Sequence, residues 1–164
     1  MRKQLELFFI SMIVIAILFL GYNYYKSYSF KHNPLPQSYM EKIKQKEQEV
    51  LANMQKVYGI YYKVPLIVTD KIQGRLYGLT AYENNEVKIY LNKKVMQESF
   101  EYMIDSVIAH EYAHALMFRL GYLHEEKAGH SKKWQEVCQN LGGKNCQQYV
   151  DTQEIILSKI PFKH

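Results

Sequence analysis

His110-Glu111-Tyr112-Ala113-His114 limits the fold of this chain more than any other stretch. Two imidazoles four residues apart act together only on a helix, where such positions stack on one face. There they can hold one Zn²⁺, and the intervening Glu111 can reach a water at the metal and take its proton. This is the chemistry of a metal-dependent peptide-bond hydrolase. The bland alternative is a pair of surface histidines on an ordinary core helix. Flanking residues favour the metal reading. Met103, Ile104, Val107, Ile108, Leu116 and Leu120 recur with helical spacing over 100–120, Ser99 suits an N-cap, and Gly121 suits a stop.

A catalytic zinc needs three protein ligands and an open position. His124, Glu125, Glu126 and His130 follow the motif. His130 is preferred because it adjoins the start of a second helix, capped by Ser131 and carrying Trp134, Val137, Cys138 and Leu141 on one face before Gly142-Gly143. His124, in mid-loop, is the second choice. Glu136 would serve a site of two histidines and a glutamate.

The order of these signals resembles the SprT-like metallopeptidase family, which includes bacterial SprT proteins and eukaryotic Spartan proteases. The likeness rests on a hairpin with Gly78 and Ile89-Tyr90-Leu91-Asn92, then His110-Glu111-x-x-His114, then Gly129-His130 and Trp134, and covers roughly residues 38 to 145. It implies zinc ligands at His110, His114 and His130, with Glu111 as catalytic acid/base. Two departures stand out. The chain has no C-x-x-C for the zinc ribbon found in many such proteins, and it carries an apolar N-terminal segment that a DNA-repair protease does not need.

Residues 7–22 contain no charge and, with Leu5 and the tyrosines that follow, approach the ~20 residues that span a bilayer. Tyr22, Tyr24, Tyr25 and Tyr28 suit an interfacial belt, giving lipid contact through residues 5–25. Arg2 and Lys3 also fit a signal peptide, but bulky tyrosines stand where a small-residue cleavage site belongs, so an uncleaved single-pass anchor is preferred. Arg2 and Lys3 favour a cytoplasmic N-terminus; Lys26, Lys31 and Lys42 oppose them. The balance is tipped toward a catalytic domain on the extracytoplasmic side. Cys138 reads as a buried thiol; spacing permits a disulfide with Cys146 without requiring one.

The expected organisation is an anchor over 1–26, a linker over 27–37 and an SprT-like zinc metallopeptidase domain over 38–164. Its class is α+β, a zincin-like single domain with a small antiparallel sheet or hairpin packed on the motif helix. Ser38 and Glu41 make a capping box for a helix whose apolar positions, from Met40 through Val57 and Tyr58, recur until Gly59. Its interleaved Lys42, Lys44, Lys46, Lys56, Glu41, Glu47 and Glu49 read as a solvated face. Val64–Asp70 reads as a strand, edge or start because of Pro65, and 75–82 and 86–92 as a hairpin through Glu83-Asn84-Asn85. The hairpin is where an extended peptide substrate would add as a strand. Tyr77 and Tyr122 are candidate oxyanion donors. The net charge of +5 is scattered, without an Arg-rich run, so no dedicated nucleic-acid site is indicated. A cytoplasmic protease acting on DNA-associated proteins and a non-catalytic, zinc-stabilised membrane adaptor are the alternative readings; oligomeric state is left open.

Overall fold

The uncharged run forms helix α1, Arg2–His32, in a computed structural model that describes residues 2–72, 74, 76–83, 86–122 and 130–147. At ~1.5 Å per residue, its 31 residues extend about 46 Å, beyond the ~30 Å of a hydrocarbon core. Its apolar window has a mean hydropathy of 2.4 and no buried residue. The helix is long and apolar enough to cross a membrane. Residues 27–32, expected as linker, continue it, and Asn33–Pro36 forms the non-helical joint, where two prolines withhold the N–H groups a helix needs. The chain divides into two compact units, Met1–Leu35 and Pro36–His164.

In the second unit, α2 (Gln37–Tyr58) buries Ile43, Val50, Leu51 and Met54 and ends at Gly59, whose φ of 67° allows its N–H to close on Gln55 O. The expected capping box does not form. The helix begins two residues earlier, capped at Pro36 instead of Ser38, and Gln37 Nε2 donates to Glu41 Oε1 at 2.8 Å. Met40 and Val57 stand half exposed rather than on the buried stripe. The solvated-face reading also needs correction, because Lys46 and Glu47 are only 7% and 9% exposed. Distant partners make their burial tolerable. Lys46 Nζ donates to Gly142 O at 2.9 Å and pairs with Glu49, while Glu47 accepts from the Tyr112 hydroxyl at 2.7 Å.

β1 (Leu66–Thr69), β2 (Gly78–Glu83) and β3 (Glu86–Asn92) form one sheet in the order β1-β3-β2. The hairpin is antiparallel as expected, with Thr80 opposite Ile89; its turn residues Asn84 and Asn85 lie outside the described residues. β1 joins β3 in parallel, so the sheet is mixed. Pro65 just precedes β1 at an edge, where its carbonyl accepts from Ile89 N–H. Buried Asn92 ends β3, caps the next helix by accepting from Lys94 N–H, and pins the approach to β2 through Leu76 O and Tyr77 O.

The motif helix begins earlier than expected. α3 (Lys93–Tyr102) starts at Asn92 instead of Ser99, which sits at a kink with φ −134° and ψ 34°. A π-helical turn (Met103–Val107) follows, then α4 (Ile108–Arg119), with Gly121 just past its end. Such π turns inside α-helices recur at functional sites. α5 (Lys132–Asn140) is capped by Ser131, which accepts from Trp134 N–H, and buries Trp134, Val137 and Cys138, with Leu141 completing the face. The core gathers Met54, Ile89, Leu91, Met96, Met103, Ile108, Tyr112, Leu116, Trp134 and Leu141 around α4.

Cys138 and Cys146 form a disulfide across the Gly142-Gly143 turn. A Cβ on Gly143 would stand 2.7 and 2.8 Å from the two sulfurs, so the bridge needs glycine there. Lys144 ties this loop to the π turn, its N–H donating to Asp105 O and its ammonium pairing with the Asp105 carboxylate at 2.6 Å. Removing the Tyr112 hydroxyl leaves buried Glu47 short of a donor. Tyr112→Phe is expected to lower stability by about 1–3 kcal/mol, read by urea unfolding followed through the single tryptophan, Trp134.

Candidate metal centre

Helical spacing places His110 and His114 on one face of α4, with ring centroids 5.0 Å apart. His130, held just ahead of the Ser131 cap, reaches between them. Its Nε2 lies 3.2 Å from Nε2 of His110 and 3.2 Å from Nε2 of His114. Nitrogens bound at about 2.0–2.1 Å around a tetrahedral zinc stand about 3.3 Å apart, so the triad has the spacing for one ion. The three side chains are a group able to hold a metal. Glu136, the alternative ligand, is exposed on α5 and outside this group, and His124, Glu125 and Glu126 lie outside the described residues.

Trp134 forms the floor. Its buried indole lies 4.5, 5.0 and 4.5 Å from the rings of His110, His114 and His130, and its N–H has no partner among the described residues. This dry setting acts on the imidazoles. Burial, then the neighbouring histidines, lower His110 from the ordinary 6.5 to about 3; burial and His130 lower His114 to about 4. Both therefore stay neutral near pH 7, the form that offers a lone pair to a metal.

Glu111 is buried beside the triad, and burial raises its carboxyl to about 7 against the opposing pull of Thr80 hydrogen bonds. Thr80 on β2 places its hydroxyl 2.7 Å from Glu111 Oε2 and 2.9 Å from Glu111 O. Two residues earlier, Gly78 leaves room for the carboxylate, since a Cβ there would lie 2.6 Å from Glu111 Oε1. Two residues later, the Tyr82 ring lies 4.7 Å from that of Phe118. The two-residue period of a strand thus turns Gly78, Thr80 and Tyr82 toward α4. Gly78 figured in the sequence only as a hairpin glycine, and Thr80 and Phe118 carried no functional signal; alternation along β2 could have placed the first two together.

Among the described residues, the same strand pairs with β3 alone and leaves its other edge open. Ile89 N–H donates to Pro65 O on the β1 side, and Asn92 N–H donates to Tyr77 O on the β2 side. Val87, Ile89 and Leu91 therefore turn their main-chain groups toward β1. Their partners Gly78, Thr80 and Tyr82 direct theirs away from β3, toward the edge. Between this strand and α4 lies a cavity of roughly 370 Å³, lined by the three histidines and Glu111 and by Leu76, Tyr82, Val87 and Phe118 among others. Neither Tyr77 nor Tyr122 lines it; Tyr77 packs against Tyr102, and Lys133 lies over the Tyr122 ring.

A model described as the SprT-like family matches residues 41–154. No curated protein and no solved structure gives a significant match to the chain.

The depressed histidines tie stability to pH in the metal-free protein. As pH falls below 6.5 the unfolded chain takes up protons that folded His110 and His114 refuse until about 3 and 4, so stability is lost across that window. Glu111 acts in the opposite direction between 4.5 and about 7, because the folded state keeps its proton. With two histidines against one carboxyl, the urea midpoint in chelator is expected to fall between pH 6.5 and 4. The fall is expected to be smaller in His114→Asn.

Proposed function

The chain belongs to the SprT-like family, and from that premise and the geometry of its cleft we propose that it is a membrane-anchored, zinc-dependent metallopeptidase. What carries this reading is the meeting of three imidazoles with a buried carboxyl group beside a strand edge. His110, His114 and His130 would hold the zinc. Zinc bound there supplies a Lewis acid that acidifies water and polarises a carbonyl. Glu111 takes the proton of the attacking water and returns it to the leaving amine, a role suited to a carboxyl brought near neutrality.

Thr80 holds that carboxylate in place, and Gly78 keeps its space clear. An extended protein or peptide substrate would lie along Gly78, Thr80 and Tyr82 as an added strand, held by their outward main-chain groups. This uses the hairpin for positioning as well as for core. The zinc-stabilised adaptor reading leaves Glu111 without purpose, since a structural site needs no buried base and keeps no open cleft beside it.

Helix α1 supports a single-pass anchor, with 38–164 as the catalytic domain. The Cys138–Cys146 disulfide favours the extracytoplasmic side, because such bonds persist in oxidising compartments. Purified full chain in detergent with zinc is expected to cleave unfolded casein, to stop on chelation and to recover with added zinc. Glu111→Gln should retain the metal and lose about 10²–10⁴-fold in rate, and Thr80→Val should fall between the two with Thr80→Ser restoring activity. Equal cleavage by wild type and Glu111→Gln would contradict the mechanism.

A further inference from the structure

We propose that the cleft selects a large apolar side chain, of the Leu, Ile, Met or Phe class, flanking the scissile bond on the Tyr82 side. The inference rests on the metallopeptidase reading and specifies its substrate. The wall that would meet this side chain is built by three residues from three elements. Val87 of β3 is buried and stands opposite Tyr82 in the register. Phe118 lies one helical turn beyond His114, and the Tyr82 and Phe118 rings are in contact. These residues line the same cavity as the three histidines and Glu111, so the apolar wall and the metal centre are continuous.

Strand geometry connects the wall to the bond to be cut. On β2, Gly78 and Thr80 lie over Glu111, and Tyr82 lies over Phe118. A peptide added at the β2 edge keeps the same alternation, repeating on one face about every 6.6–6.8 Å. With its scissile carbonyl held near Glu111, its next side chain facing α4 arrives at Tyr82, Val87 and Phe118. Among the described residues lining this cavity, Glu111 is the one acidic side chain and there is no lysine or arginine; Lys63, Glu86 and Arg119 line the neighbouring pocket that shares Tyr82, Val87 and Phe118. A charged side chain entering from the metal side would shed water against the apolar faces of Tyr82, Val87 and Phe118, whereas an apolar one gains by burial. Tyr82 remains 54% exposed, leaving apolar surface for a substrate to cover.

The test uses the full chain in detergent with zinc and a proteome-derived peptide library, with cleaved bonds read by mass spectrometry and Glu111→Gln as control. At one position flanking the cut, Leu, Ile, Met and Phe are expected to exceed Asp, Glu and Lys by about ten-fold or more. Phe118→Arg is expected to move that preference toward acidic residues, while Phe118→Leu keeps it apolar. If Phe118→Arg does not fold, Phe118→Ala replaces it and should reduce the enrichment. Cleavage with no apolar preference, or a preference untouched by these variants, overturns the inference while leaving the peptidase reading standing. No cleavage by zinc-loaded wild type removes that reading, and the inference with it.

Discussion

Strand β2 can lie against helix α4 at Glu111 only because residue 78 carries no side chain. That close approach organises the rest of the site. It brings the Thr80 hydroxyl onto the carboxylate, excludes water enough to raise the Glu111 carboxyl toward neutrality, and sets the strand's open edge beside the three histidines. A strand displaced by the width of a methyl group would leave the carboxylate loosely held. Small displacements of positioning groups can cost two orders of magnitude in rate.

The motif helix is in turn braced from behind. Trp134 fills the space beneath the imidazoles, and the disulfide fixes the loop that follows its helix. Lys144 carries that constraint to Asp105, in the π turn five residues before His110. On the other flank, Tyr112 sits between the two histidines in sequence and faces away from them into the core, where its hydroxyl meets Glu47 of α2. Polar ties of this kind restrict α4 to one orientation, which three histidines would need in order to share one ion.

Much of this was legible in the sequence where the signal was local. The five-residue motif, the Ser131 cap, the Trp134–Leu141 face, the hairpin and the uncharged N-terminal run each follow from spacing within one element. The features that were missed depend on partners far away in the chain. Lys46 and Glu47 looked like solvated charges because Gly142 and Tyr112 are invisible to a periodicity argument. The parallel β1 depends on a crossover that local pattern does not specify. Ser99 was a sound cap by type, yet Asn92 holds that role because the chain leaves β3 there and its amide also fastens Leu76. Thr80 and Phe118 acquire their significance only when the strand is laid on the helix.

Every proposed role in the cleft depends on the three histidines acting as one metal site, and the direct test is zinc stoichiometry of the purified full chain, wild type against His130→Ala. One zinc per wild-type chain, with binding weakened at least ten-fold in the variant, is the result the geometry predicts. A folded wild type that binds no zinc, or a variant that holds it as tightly, would contradict it.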